Sequence, residues 1–591
     1  MIVNGKAWLV DDELSARWPL YTRGNVGEVF PDVVTPLNWS LLGGAVEESW
    51  REAWREFGIV APGDFDTERV IVCIAGGYCY LNMSYIRLLG VRVPGSSVKA
   101  VDKQFLGEVD APSYMERAGD RNFFCSLKLL WETEKTLRTR RPQIVEDVRR
   151  ASREWVERYP GDKASDDALL DYVFAYPAVH RYLFGRHVLV TFKATVASGA
   201  IAALCALKVK DPGLTLDLLS GVEGVESAEP ARLLWSLGRM AAPSQCLARI
   251  FDEGVDERTW PLLQSEPTAK EFARDFADFL ARYGYRGPNE WELASQPWRM
   301  GPEVPLRTID RLRRSEETNA PGADLDAQNL NRRQATRHAR RKLGIVDRMK
   351  FNKALPAAKV WQAAREGSKS AVIRALDGTR RAVNELARRV AERHGLADWR
   401  GVYMLHQSEL RAYAADPRPF LDVIAERSRV AEALVERIPP FLFEGEIPPI
   451  ETWAKRVADG DARGRKGDIL EGIGGSPGRV TGIARIVMDA SNPDVLNPGD
   501  ILVAPITDPS WTPLFLAAAG VIVDVGAVMS HSVIVSRDLG VPCAVSVTDA
   551  TKIIPDGALV ELDGDTGAVM ILDVAPSLAA AAIYSRTAST R

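Results

Sequence analysis

GAVMSHSVIVSRDLGVPCAV, Gly526 to Val545, is the stretch from which the rest of the chain is read. The apolar run that leads into it, VIVDV (Val521 to Val525), predicts a buried strand of the parallel kind. A loop of small residues follows. VIVSRDLG then predicts a short helix, closed by Gly540 and stopped by Pro542. His531 therefore falls where strand gives way to helix. A phosphoryl group on its imidazole would meet unsatisfied backbone N–H groups and the positive end of a helix dipole, both of which favour an anion. Ser530 and Ser532 add hydroxyl donors on either side. An isolated Ser-His-Ser would equally suit an ordinary loop histidine, so the weight lies on the surroundings.

Those surroundings resemble the phosphohistidine signature of enzymes similar to phosphoenolpyruvate synthase, pyruvate phosphate dikinase and rifampin phosphotransferase. Its form is a Gly-rich turn, Ser-His, and an apolar helix with Arg, Gly and Pro. Gly526, Ser530, His531, Ile534, Val535, Arg537, Leu539, Gly540, Val541 and Pro542 carry the likeness. Val525 and Ala527 stand near where these families have a denser glycine and threonine cluster, and Ser536 where alanine is usual. The resemblance implies a catalytic His531 on a small swivelling domain.

A chain of 591 residues predicts about three or four domains. With 46% hydrophobic and 26% charged residues it has an ordinary globular composition. A net charge of −4 supplies no overall cationic field, so neither nucleic acid nor membrane is expected as a partner. Six cysteines without metal-ligand spacing suit a reducing compartment, and no metal site is predicted. The first residues, MIVNGKAWLVDDELSARW, place charges too early for a signal peptide. No apolar run reads as the roughly 18 residues that a membrane span needs. The expected location is cytoplasmic.

The expected architecture is α+β and multidomain: a mixed, largely helical acceptor-binding body followed by a C-terminal β/β/α swivelling phosphohistidine domain. The expected boundaries are 1–120 for a mixed α/β part and 121–440 for a helical part of the acceptor-binding domain, 441–471 for a linker, 472–575 for the swivelling domain and 576–591 for a flexible tail. Val70 to Met83 reads as two β segments around Gly76-Gly77, because β-branched and aromatic residues flank a permissive pair. Thr22 to Leu42, dense in Gly, Pro and polar residues, reads as a surface loop or a substrate-facing entry segment, and Ala45 to Gly58 as a helix. The linker reading rests on the prolines of RIPPFLFEGEIPPIETW (Arg437 to Trp453) and the glycines after them. Beyond it, strand-like runs alternate with turns as far as Leu572.

Three further groups are candidates. ARYGYRGPNEWELASQPW (Ala281 to Trp298) interrupts the helices, and Arg286 and Glu290 in it suit either a phosphate contact or a turn held by an Arg–Glu pair. In REGSK, Arg365 and Lys369 are four apart and share a helix face, with Glu366 beside them. Two such cations suit a travelling phosphate, and equally a surface pair. NRRQATRHARRKLG (Asn331 to Gly344) reads as a solvated basic helix face. His394 and His406 are lone histidines among helices, a setting more usual for packing than for catalysis. The GxRGPxExDxxxxxW-like and RExxK segments are similar to the acceptor-binding domain of rifampin phosphotransferase, which favours a functional role for Arg365 and Lys369.

Phosphoryl transfer through histidine splits one difficult step in two, and neutral imidazole is a competent nucleophile near pH 7. Only 60 residues follow His531, too few for the (β/α)8 barrel of the dikinases. No GxxxxGK[ST] loop occurs, and nothing before Thr22 would hold an ATP-grasp domain. The layout resembles rifampin phosphotransferase without its N-terminal third, and the large subunit of the phenylphosphate and cresol phosphate synthases. That resemblance implies ATP and Mg²⁺ bound mainly by a separate ATP-grasp nucleotide-binding subunit. The acceptor it implies is a small aromatic hydroxyl substrate such as a phenol, with a rifamycin-like antibiotic or a non-catalytic scaffold role as alternatives.

Overall fold

The computed structural model describes residues 8–61, 63–93, 96–106, 109, 111–211, 213–219, 229–314, 325–455, 464–488, 496–497, 499–507, 511–526 and 530–574. The predicted tail at 576–591 and the position of Ala527 lie outside these residues. The chain forms two compact units, one of residues 1–208, 291–295 and 344–458, the other of 209–290, 296–343 and 459–591. This differs from the expectation that 121–440 form one body. The helices of 209–290 and 296–343 cluster instead with the C-terminal strands, a long-range grouping that helical periodicity does not encode. The helices include, in chain order, α1 (Pro36–Phe57), α2 (Asp166–Leu204), α3 (Glu229–Ala241), α4 (Lys270–Tyr283), α5 (Glu303–Arg314), α6 (Ile345–His394), α7 (Thr512–Ala517) and α8 (His531–Leu539).

In the first unit, strands β1 (Leu20–Thr22), β2 (Val72–Ala75), β3 (Tyr78–Asn82) and β4 (Leu442–Glu444) form an antiparallel sheet in the order β2-β3-β1-β4. The two segments read around Gly76-Gly77 are β2 and β3, and both glycines have positive φ, 55° and 82°. Strand β4 comes from the stretch read as linker and pairs with β1 through Leu20 and Glu444. Trp453 is 6% exposed and lies over the Tyr78 ring at 6.0 Å. Its prolines thus frame a docked edge strand rather than a slack tether, and the span 456–463 lies outside the described residues.

Helix α1 starts nine residues before the predicted one, inside the segment read as a loop. Thr35 is its N-cap, accepting from the Asn38 amide, and Pro36 is its first residue, where a missing N–H costs nothing. The 50-residue α6 packs along α2 and ends on Gly395 at φ 65°. Helix α2 and the turn after it, Asp166–Val209, contain an 18-residue window of mean hydropathy 1.8. By length and composition this helix is able to cross a membrane, which corrects the expectation of no such run. Half of that window is buried inside the protein, where α1 and α6 cover it.

The second unit has two parts. Helices α3, α4 and α5 enclose a core of Phe272, Phe276, Phe279, Leu237, Ile309 and Leu312. Gly238 on α3 permits close approach, since a Cβ there would stand 2.9 Å from that of Leu312. The other part is an eight-stranded sheet of β5 (Ile469–Leu470), β6 (Ile473–Ser476), β7 (Arg479–Ile486), β8 (Ile501–Ala504), β9 (Gly520–Val523), β10 (Cys543–Val545), β11 (Leu559–Asp563) and β12 (Val569–Asp573). Its order is β5-β12-β11-β7-β8-β9-β10-β6. Strands β7, β8, β9 and β10 run parallel, and the remaining pairs are antiparallel. Strands β8 and β9 are buried on both faces, as all-apolar parallel strands require. Leu502, Val521 and Val523 face a core with Phe515, Val533 and Val535, whereas Ile501, Val503 and Ile522 face one with Val560, Leu562 and Ile571.

Candidate active site

Parallel strands gather ligands at their carboxyl ends, where loops and helix N-termini converge. His531 stands at such an end. Strand β9 stops at Val523, Ser530 takes an extended conformation as N-cap (φ −70°, ψ 163°), and His531 opens α8. The helix closes as predicted on Gly540 in the left-handed region, φ 73°. On the far side Arg537 Nε donates to the Gly475 carbonyl at 2.6 Å, tying α8 to β6. Gly526 keeps the approach narrow, since a Cβ there would stand 3.1 Å from Val545 and 3.3 Å from Ser530 Oγ.

The half-buried His531 ring takes Phe515 edge-on at 5.8 Å. Thr507 Oγ1, beyond the end of β8, lies 3.5 Å from Nδ1, at the outer limit of a hydrogen bond. Ser530 and Ser532 are buried and their hydroxyls bond each other at 2.8 Å. One hydroxyl donates to the other, so the pair retains one hydroxyl proton for another acceptor. Asp524, just past β9, accepts from the Thr551 amide at 2.9 Å. Burial, against the hydrogen bonds from Thr551, pushes its carboxyl up to about 6.

Arg286 and Glu290 pair with each other at 3.0 Å, both nearly fully buried. The Arg286 backbone also accepts from the Trp298 amide at 2.7 Å, closing the turn. This is the geometry of the structural alternative, a turn held by an internal ion pair.

Arg365, Glu366 and Lys369 belong to the first unit, on α6. Arg365 and Glu366 are 24% and 14% exposed, with 3.6 Å between them. Sequence reasoning missed their neighbours. His187, on α2, contacts Ser368 Oγ through Nδ1 at 2.9 Å. Burial, and then the charges of Arg365 and Lys369, lower its pKa to about 3, so the ring is neutral at pH 7. Phe184 and Trp291 lie beside it, with ring centroids 6.1 and 6.2 Å away. Trp291 is held by its own segment: buried Arg380 donates to the carbonyls of Glu292 at 2.9 Å and Leu293 at 3.1 Å. The signal for this group is the spacing of His180, Phe184 and His187 along one helix face.

The two histidines singled out in the sequence have other surroundings. His406 caps a short turn, accepting from the Ser408 amide at 3.3 Å, while Glu409 bonds its backbone N–H at 2.7 Å. His394 sits in the last turn of α6, where a helix dipole favours a cation. The basic run Asn331 to Lys342 is helical with Ala335 and Ala339 buried, so most of its charges point outward.

Residues 496–567, which contain His531, match the mobile domain of PEP-utilising enzymes, and residues 186–366 match the rifampicin phosphotransferase fourth domain. Over these two segments the chain is similar to PEP-utilising enzymes. The prodigiosin synthesizing transferase PigC of Serratia marcescens is 25% identical over 95% of this chain and 64% of its own length. A rifampicin phosphotransferase of a Streptomyces species is 30% identical over 54% of this chain and 37% of its own. An uncharacterized protein of Mycobacterium tuberculosis is 31% identical over 52% of this chain and 32% of its own. The chain spans less than two thirds of the length of each of these relatives.

Proposed function

We propose that this chain carries a phosphoryl group on His531 and passes it to a hydroxyl of an organic acceptor held by the first unit. The observation that carries the reading is a histidine at the first position of a helix, at the carboxyl edge of four parallel strands, inside the segment that matches a PEP-utilising mobile domain. The imidazole attacks the donor phosphorus. Backbone N–H groups of the first turn of α8 then meet the phosphoryl oxygens, where the helix dipole favours negative charge. The donor is ATP with Mg²⁺, supplied by an ATP-grasp nucleotide-binding subunit, and the metal screens the charge of the phosphates. Arg365 and Lys369 neutralise the group as it leaves His531, with Glu366 orienting Arg365.

The acceptor is an aromatic alcohol of the phenol type or a rifamycin-like polycycle. The rifampicin phosphotransferase relative and the match over 186–366 support the polycycle as much as the phenol. The prodigiosin-synthesizing relative, aligned along 95% of this chain, favours a second reading in which the phosphoryl activates an intermediate of a biosynthesis. Incubation with the nucleotide-binding subunit, labelled ATP and a panel of phenol, cresols and rifamycins separates these. A phosphorylated phenol or rifamycin supports the first reading, and a charged chain that phosphorylates none of them overturns it.

A further inference from the structure

His187 is one of six histidines in the chain, and its setting differs from the others. It sits on α2 in the first unit, surrounded by protein yet partly open, facing the stretch of α6 that carries Arg365, Glu366 and Lys369. Phe184 and Trp291 flank the ring, and the buried Trp291 indole N–H has no hydrogen-bond partner among the described residues.

The contacts of Ser368 bear on which ring nitrogen holds the proton. The buried Ser368 has one hydroxyl proton, and its Oγ donates to the Arg365 carbonyl at 2.9 Å. The same Oγ lies 2.9 Å from His187 Nδ1, and with its proton on the Arg365 carbonyl it accepts there, which is the arrangement in which Nδ1 is the N–H nitrogen. Nε2 is left with its lone pair and no partner among the described residues. In that tautomer the ring is a base beside the cations Arg365 and Lys369.

We infer that His187 is the general base of the transfer, its Nε2 taking the proton of the acceptor hydroxyl as that oxygen attacks the phosphorus. This rests on the proposed carrier role of His531. The acceptor O–H bond breaks with its proton going to Nε2. The oxygen–phosphorus bond forms, and the phosphorus–nitrogen bond breaks with its electron pair returning to the His531 imidazole. The surroundings time the step. Burial and the two cations keep His187 neutral before the phosphoryl arrives, and the incoming negative charge, pairing with Arg365 and Lys369, then favours the imidazolium.

Two measurements on the full chain test this. Nitrogen-15 NMR of the imidazoles, assigned with His187→Gln, should show a neutral Nδ1–H tautomer for His187 from pH 8 to about 5. An Nε2–H tautomer, or protonation near the ordinary pKa, overturns the inference without any transfer assay. For the second, His531 is charged with labelled phosphoramidate, and single-turnover transfer to phenol and rifampicin is followed. His187→Gln, which retains a side-chain donor for Ser368, should charge normally and transfer about 10²-fold more slowly at pH 7. Its rate should also rise with pH as the acceptor loses its proton unaided, whereas the wild-type rate stays level. Equal rates and equal pH profiles overturn the inference alone. Failure of the wild-type chain to charge at His531, or to pass the group on, overturns the proposed function as well.

Discussion

Removing one charge from the pair on α6 separates its two uses. With Lys369→Gln or Arg365→Gln, the label on His531 should persist while transfer to the acceptor slows about 10²- to 10³-fold, the usual effect of losing one donor to a developing charge. A structural surface pair would leave transfer within about twofold, since exposed ion pairs contribute little. Two buried carboxyls predict a pH effect on stability. Burial pushes both Asp11 and Glu292 up to about 7, although each accepts backbone hydrogen bonds. The folded chain therefore holds protons that the unfolded chain has lost, so their contribution is complete below about pH 4 and is lost as pH rises to about 7. Thermal unfolding from pH 4 to 8 should show that decline, and Glu292→Gln should make it shallower. At this scale the placement of His531 at a helix start was legible because its motif is local. The setting of His187 was not, because the serine it contacts lies 181 positions away in the chain.

Among the elements, the strand-like runs of the C-terminal part were legible since β8 and β9 are apolar throughout and bounded by turn residues. The start of α1 was not, because proline, a breaker inside a helix, here occupies the first helical position as Pro36. The segment Arg437 to Trp453 misled for a related reason. Its prolines flank β4, an edge strand of three residues too short for a periodicity to declare itself. Trp453 provides the test. It packs where a Cβ on Gly76 would stand 2.7 Å from its ring. Trp453→Ala should destabilise the first unit by about 3–5 kcal/mol in urea unfolding, as expected for loss of a buried tryptophan. A tether would tolerate the change with no shift of the midpoint.

For the whole molecule, charge is unevenly divided. Gly472 to Val574 carries four basic and twelve acidic residues, a net −8 within a chain of net −4. If the carrier segment finds its acceptor site by this field, transfer should fall severalfold between about 0.05 and 0.3 M salt, well before unfolding, and a salt-independent rate would remove electrostatic docking from the account. The grouping of 209–290 and 296–343 with the C-terminal strands was beyond sequence reading, since each helix there is amphipathic and its pattern does not say which neighbour covers it. All of these transfer effects depend on the proposed carriage of phosphate by His531. Incubating the chain with β-labelled ATP and the proposed nucleotide-binding subunit decides this: the wild-type chain should carry an acid-labile, base-stable label and His531→Ala none, whereas label retained by His531→Ala would rule the carrier role out.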